Sequence, residues 1–147
     1  MKTLGIANDH AGYELKVKVV DYLRQKGYTV KNFGTDSADS ADYPDYAHPL
    51  ASAVCSGECE LGFAICFAGN GINMTANKHT GIRAALCWHP EISRLARAHN
   101  NANICSLPAN FITEELAYCI IDEFLNTPFE GGRHQRRVDK ITMCNVI

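Results

Sequence analysis

Separate stretches of this chain carry side chains that can move a proton or hold an anion. Asn8-Asp9-His10-Ala11-Gly12 sets a carboxylic acid beside an imidazole, and Cys66-Phe67-Ala68-Gly69-Asn70-Gly71 puts a thiol ahead of a small-residue loop. His99-Asn100-Asn101 offers a neutral base or hydrogen bonder, and Gly131-Gly132-Arg133-His134-Gln135-Arg136-Arg137 is basic. If that basic segment is a helix, Arg133 and Arg137 share a face and can grip one phosphate through charge-assisted bonds. Each stretch also has a plainer reading: a buried cysteine before a turn, a histidine favoured at a helix C-terminus, a solvated basic tail. Taken jointly, they describe a thiol, an imidazole, an acid, a phosphate grip and a loop running into a helix N-terminus. That set suits proton transfer next to a carbonyl in a phosphorylated small molecule.

Other chemistries lack their signatures. Where a dinucleotide fold would show Gly-x-Gly-x-x-Gly, the segment after the first strand has Asp9 and His10, and Gly69-x-Gly71 is followed by Met74 where a third glycine would stand. There is no phosphate loop of the Gly-x-x-x-x-Gly-Lys-Ser/Thr type. The seven cysteines (Cys55, Cys59, Cys66, Cys87, Cys105, Cys119 and Cys144) are odd in number and several lie in apolar runs, which fits free thiols in a reducing compartment. Cys55-x-x-x-Cys59 has no second pair, so neither a structural metal nor a cofactor is expected. Fourteen Lys and Arg against sixteen Asp and Glu give a net charge of −2, which argues against a protein held on nucleic acid by bulk charge. No apolar stretch approaches the roughly 20 residues of a membrane span, and a cytoplasmic protein is expected.

The elements that must position these residues alternate along the 147-residue chain, which has the length of one domain over 1–147. Thr3–Ala7, Tyr28–Phe33, Gly62–Phe67, Ile82–Trp88 and Asn103–Leu107 read as strands. Leu15, Val19, Tyr22 and Leu23 fall on one helix face, with Gly27 as C-cap. Helices are also expected at Asp45–Ser56, Ile72–Lys78, Pro90–His99 and Thr113–Asn126, with Pro90 in a first turn and Thr113 as N-cap. Such alternation predicts an α/β fold with a mostly parallel sheet of about five strands covered on both faces. Ligands of such sheets bind beyond the carboxyl ends of the strands. The irregular stretch Gly34–Pro44, with Asp36, Asp39 and Asp42, reads as a solvated loop or the wall of a site. The wide apolar arc of the helix at Thr113–Asn126 leaves open burial within one chain or against a second subunit.

The ordered pieces Asp9-His10-Ala11-Gly12, Asp42-Tyr43-Pro44-Asp45-Tyr46-Ala47, Gly69-Asn70-Gly71 with Thr75-Ala76-Asn77-Lys78, Gly81-Ile82-Arg83-Ala84-Ala85, Ala96-Arg97-Ala98-His99-Asn100 and Phe129-Glu130-Gly131-Gly132-Arg133-His134 carry a resemblance. Over essentially its whole length the chain resembles the ribose-5-phosphate isomerase B family, which includes galactose-6-phosphate isomerase subunits. The resemblance implies a Rossmann-like αβα sandwich and a metal-free aldose–ketose isomerase acting as a homodimer or dimer of dimers, with sites between subunits. It implies Cys66 as the base acting through an enediolate, and His99 as the ring-opening group with Asp9 nearby. Loop N–H groups around Gly69, Asn70 and Gly71 would bind the oxyanion, Asn100 the sugar hydroxyls, and Tyr43 would line the pocket. His10, Arg133 and Arg137 would hold phosphate, the arginines coming from the C-terminal segment 127–147.

Phe67 and Ala68 depart from the glycine and the serine or threonine usual after the cysteine, so a phenyl ring crowding the sugar is expected. Asn110 replaces an arginine common at that position. The lead substrate pair is ribose 5-phosphate and ribulose 5-phosphate. The alternatives are a hexose 6-phosphate and a catalytically weakened sugar-phosphate-binding protein.

Overall fold

The computed structural model describes residues 2–142, so Cys144 and the end of the 127–147 segment lie outside the described residues. Five strands, β1 (Thr3–Asn8), β2 (Thr29–Asn32), β3 (Leu61–Cys66), β4 (Ala84–Leu86) and β5 (Ile104–Pro108), form one parallel sheet in the order β2-β1-β3-β5-β4. The helices are α1 (Tyr13–Gln25), α2 (Tyr43–Cys55), α3 (Asn70–Ala76), α4 (Pro90–Asn100), α5 (Glu114–Asn126) and α6 (Arg133–Asp139). A 3-10 turn at His10–Gly12 joins β1 to α1.

Alternation along β3 sorts the two cores. Leu61, Phe63 and Ile65 join Leu15, Val19 and Leu23 of α1, Ala96 of α4, and Ile120, Ile121 and Phe124 of α5. Ala64 and Cys66 face the other way, onto Leu50, Ala51 and Val54 of α2 and Ile72 and Ala76 of α3. The result is a three-layer αβα sandwich, as the strand and helix alternation predicts. Among the described residues no helix is long and apolar enough to cross a membrane.

The apolar arc of α5 is used inside the chain. Ala117, Ile120, Ile121 and Phe124 are buried, Phe124 packs edge-on to Phe63 with ring centroids 5.8 Å apart, and Ser93 of α4 bonds the Ile120 carbonyl at 2.8 Å. Thr113 caps α5 through the Leu116 N–H at 3.1 Å, as its type and position predict.

Some element limits differ from expectation. β4 is confined to Ala84–Leu86 rather than Ile82–Trp88. The chain turns at Gly81, where φ is +90°, and the Asn77 side chain occupies both backbone groups of Ala84, which closes part of this sheet edge. α2 begins at Tyr43 rather than Asp45 because Pro44 presets the first helical turn.

Candidate active site

In a parallel sheet the crevice forms where the strand order reverses. Here that point lies between β1 and β3, which pair directly with Asn8 opposite Ile65. The residues that leave those two strands are Asp9 and Cys66.

Asp9 is buried, and its Oδ1 accepts from the N–H groups of Ala11 at 3.0 Å and Gly12 at 3.2 Å, which caps the 3-10 turn. The turn lies tight on β3: the Asp9 N–H donates to the Ile65 carbonyl at 3.3 Å, and a Cβ on Gly12 would stand 2.5 Å from that oxygen. Only glycine fits there, so the acid is fixed beside the end of β3. His10 points outward, and its Nδ1 is held by the Ala41 backbone, 3.1 Å from the N–H and 3.2 Å from the carbonyl oxygen, which leaves Nε2 free to face a ligand.

Cys66 is 5% exposed and ends β3, with its carbonyl taken by the Ala109 N–H at 3.0 Å. Gly69 follows with φ +75°, a left-handed conformation that turns the chain into α3. Tyr43 closes the site from the side, because a Cβ on Gly71 would stand 2.4 Å from its ring. Thus Asp9, His10, Tyr43, Cys66 and the Gly69-Asn70-Gly71 loop gather at one end of the sheet.

The Phe67 ring, 52% exposed, lies edge-on to Phe111, which follows β5, with centroids 5.6 Å apart. Asn110 stands in the same corner, its N–H bonded to the Phe67 carbonyl at 3.1 Å.

The remaining expected residues are elsewhere. α4 runs back against the strands, so His99 and Asn100 in its last turn reach the opposite end of the sheet. Asn103 just beyond bonds the Arg83 carbonyl ahead of β4 and the Gly62 N–H at the start of β3. A β3-length strand spans about 17 Å, so one copy of the chain does not bring His99 to its own Cys66. Asn100 borders a cavity of about 390 Å³ with Asn77, Arg83 and Ile141. α6 packs on the end of α4, tied by the Glu130 N–H to the Ala98 carbonyl at 3.0 Å. His134 and Val138 face inward while Arg133, Arg136 and Arg137 are exposed. At about 100° per residue, Arg136 points opposite the buried side, and Arg133 and Arg137 flank it together.

Two neighbours of His99 were not picked out from the sequence. The His134 ring stacks on the His99 ring with centroids 4.2 Å apart and planes 10° from parallel. Glu130 Oε2 lies 3.4 Å from His134 Nε2 and 3.8 Å from His99 Nε2. Burial lowers the pKa of His134, with His99 and Arg133 adding to the effect, so this imidazole favours its neutral form. The Glu130 and His134 spacing of four residues was the available signal. The three donor atoms lie within 4.8 Å of one another, as metal ligands can.

Comparison with known proteins bears on all of this. Residues 4–141 match the model of a family described as ribose/galactose isomerase. The chain belongs to the ribose/galactose isomerase family. It is 42% identical to ribose-5-phosphate isomerase B of Escherichia coli, over 97% of this chain and 95% of that one. The crystal structure of a ribose 5-phosphate isomerase from Thermotoga maritima superimposes with a TM-score of 0.94 at 51% identity, covering 96% of this chain and 97% of the other. A ribose-5-phosphate isomerase B from Mycoplasma genitalium, solved with bound ribulose-5-phosphate, gives a TM-score of 0.91 at 41% identity over 95% and 93% of the two chains.

Proposed function

We propose that this chain is an aldose–ketose isomerase that interconverts ribose 5-phosphate and ribulose 5-phosphate in the cytoplasm. The observation that carries the reading is the identity of 41–51% to isomerases of these sugars over nearly the whole of both chains. The geometry supports the following assignment of steps.

In the open-chain aldose, the Cys66 thiolate takes the proton from C2, and the C2–H electron pair shifts toward O1 to give a 1,2-enediolate. N–H groups of the Gly69-Asn70-Gly71 loop stabilise the oxyanion, and Asp9 and Tyr43 bound its pocket. Cys66 returns its proton to C1, and the proton that O2 gives up as the C2 carbonyl forms goes to O1, so the change is internal and needs no outside oxidant. His99 opens the furanose, Asn100 bonds the hydroxyls, and His10, Arg133 and Arg137 hold the phosphate. The active unit is a homodimer, or a dimer of dimers, in which His99, Asn100, Arg133 and Arg137 of one copy meet Cys66 of the next. The placement of the two groups at opposite ends of the sheet supports this arrangement.

The test is turnover across pentose 5-phosphates and hexose 6-phosphates beside direct binding of each. Ribose 5-phosphate is expected to be the better substrate. A faster hexose 6-phosphate would overturn the assignment, and binding without turnover of any sugar would make this a binding protein.

A further inference from the structure

We infer that Glu130 is a positioning residue for His99, holding the imidazole in the tautomer and orientation that ring opening requires, with His134 stacked behind it. The inference rests on His99 as the ring-opening group of the isomerase proposed above.

Several features of the fold point at one ring. The Glu130 N–H is anchored to the Ala98 carbonyl, one residue from His99. Gly131 and Gly132, at φ +67° and +56°, then turn the chain so that α6 starts back over α4. That turn brings Glu130 to the Nε2 edge of the imidazole and His134 to its face. His134 is buried and its Nε2 makes no hydrogen bond of good geometry; the Glu130 carboxylate, 3.4 Å away, is its ion-pair partner among the described residues. Arg133 and Arg137 lie on the exposed part of α6 and take no part in this contact.

A carboxylate oxygen has lone pairs for two donors, so Glu130 Oε2 can accept from both Nε2 atoms. Its side chain is 53% exposed in the single chain, and the 3.8 Å gap to His99 closes with a small rotation. With Nε2–H of His99 held by the carboxylate, Nδ1 is the nitrogen that exchanges a proton with the sugar. Orientation of a working histidine by a carboxylate on its other nitrogen is a recurring arrangement.

Ring opening and isomerisation can be separated by substrate. Ribose 5-phosphate is a furanose closed between C1 and O4. Opening breaks that bond, adds a proton to O4 and removes one from the O1 hydroxyl, with no net change in protons or electrons. Ribulose 5-phosphate has its O5 blocked by phosphate, forms no furanose, and reaches the enzyme already open. Its aldose product closes in water without help.

The experiment measures initial rates at saturating substrate (kcat) in both directions for the unaltered enzyme, Glu130→Ala and Glu130→Gln. Glu130→Ala is expected to lose about tenfold or more with ribose 5-phosphate, the scale seen when a supporting hydrogen-bond partner is removed. With ribulose 5-phosphate the same variant is expected to stay within about twofold of the parent. Glu130→Gln keeps an acceptor oxygen and is expected to recover part of the loss. Equal losses in both directions, or none in either, would overturn the inference while leaving the isomerase reading intact. An unaltered enzyme that converts neither sugar would overturn that reading and this inference together.

Discussion

Cys66 shows how much a single position depends on its neighbours. The thiol is nearly covered, sits on the α2–α3 side of β3, and is followed by a loop in a left-handed turn at Gly69. Cys87 and Cys105 are fully buried within the sheet region and have no such loop beside them. Cys66→Ala is therefore expected to lower turnover by at least about 100-fold while calorimetric affinity for ribose 5-phosphate stays near that of the parent; near-normal turnover would remove Cys66 from the mechanism. Gly71 is constrained by contact alone, since its φ is not left-handed and the Tyr43 ring fills the space a side chain would need. Gly71→Ala should cost about 1–3 kcal/mol of stability by overpacking, read from denaturant melts. Tyr43→Ala in the same chain should return part of it. If the two losses simply add, the ring is not what Gly71 accommodates.

At the scale of elements, the segment between β2 and α2 is held from below by Lys16 of α1. The lysine side chain is 3% exposed, and its Nζ donates to Asp36 Oδ1 at 2.6 Å, the Thr35 carbonyl at 3.0 Å and Asn32 Oδ1 at 3.3 Å. Asn8 adds a bond to the same Thr35 carbonyl, and Ala41 further along orients His10. The acidic loop is thus strapped to α1, β1 and His10. The hydrogen bond from Lys16, then that from Asn32, holds the Asp36 carboxyl below its ordinary value. A carboxyl with a lowered folded-state pKa stabilises the fold above its unfolded value, and that stability is lost as pH falls through the folded one. Acid melts below about pH 4 should therefore show a loss that Asp36→Asn has already incurred at neutral pH. Identical acid profiles for the two proteins would dissociate Asp36 from the loop's stability.

In α6 the expected sharing of a face by Arg133 and Arg137 is met by a real helix, and Arg136 lies away from it. Arg133→Ala or Arg137→Ala should raise KM for ribose 5-phosphate far more than Arg136→Ala does. Equal small effects at all three would return the segment to a solvated tail.

The proposed mechanism poses a problem that one copy does not solve, because Cys66 and His99 stand at opposite ends of one sheet. Two copies related by a two-fold axis can each lend what the other lacks. Cys66→Ala and His99→Asn variants should each be nearly inactive. Unfolded together in equal amounts and refolded, they should regain roughly a quarter of parental activity, since half of the dimers are mixed and each mixed dimer has one intact site. No recovery, in a mixture shown to contain mixed dimers, would mean that each site is built within one copy.

The sequence by itself determined the alternation of elements, the faces that turn inward and the residues able to do the chemistry. These follow from local rules: period 3.6 or 2 in the apolar positions, proline and threonine at helix starts, glycine at turns. It also led to one expectation that failed locally: β4 is shorter than its apolar run because an edge strand can be closed by a side chain such as Asn77. Only the tertiary structure decided the order β2-β1-β3-β5-β4, which makes β1 and β3 neighbours and brings Asp9 to Cys66. The same packing carried His99 to the far end of the sheet and folded Glu130 and His134 onto it. Periodicity reports which face of an element is buried, whereas the partner it meets is set by crossovers between strands and by helices packing across a shared core, which no local pattern encodes.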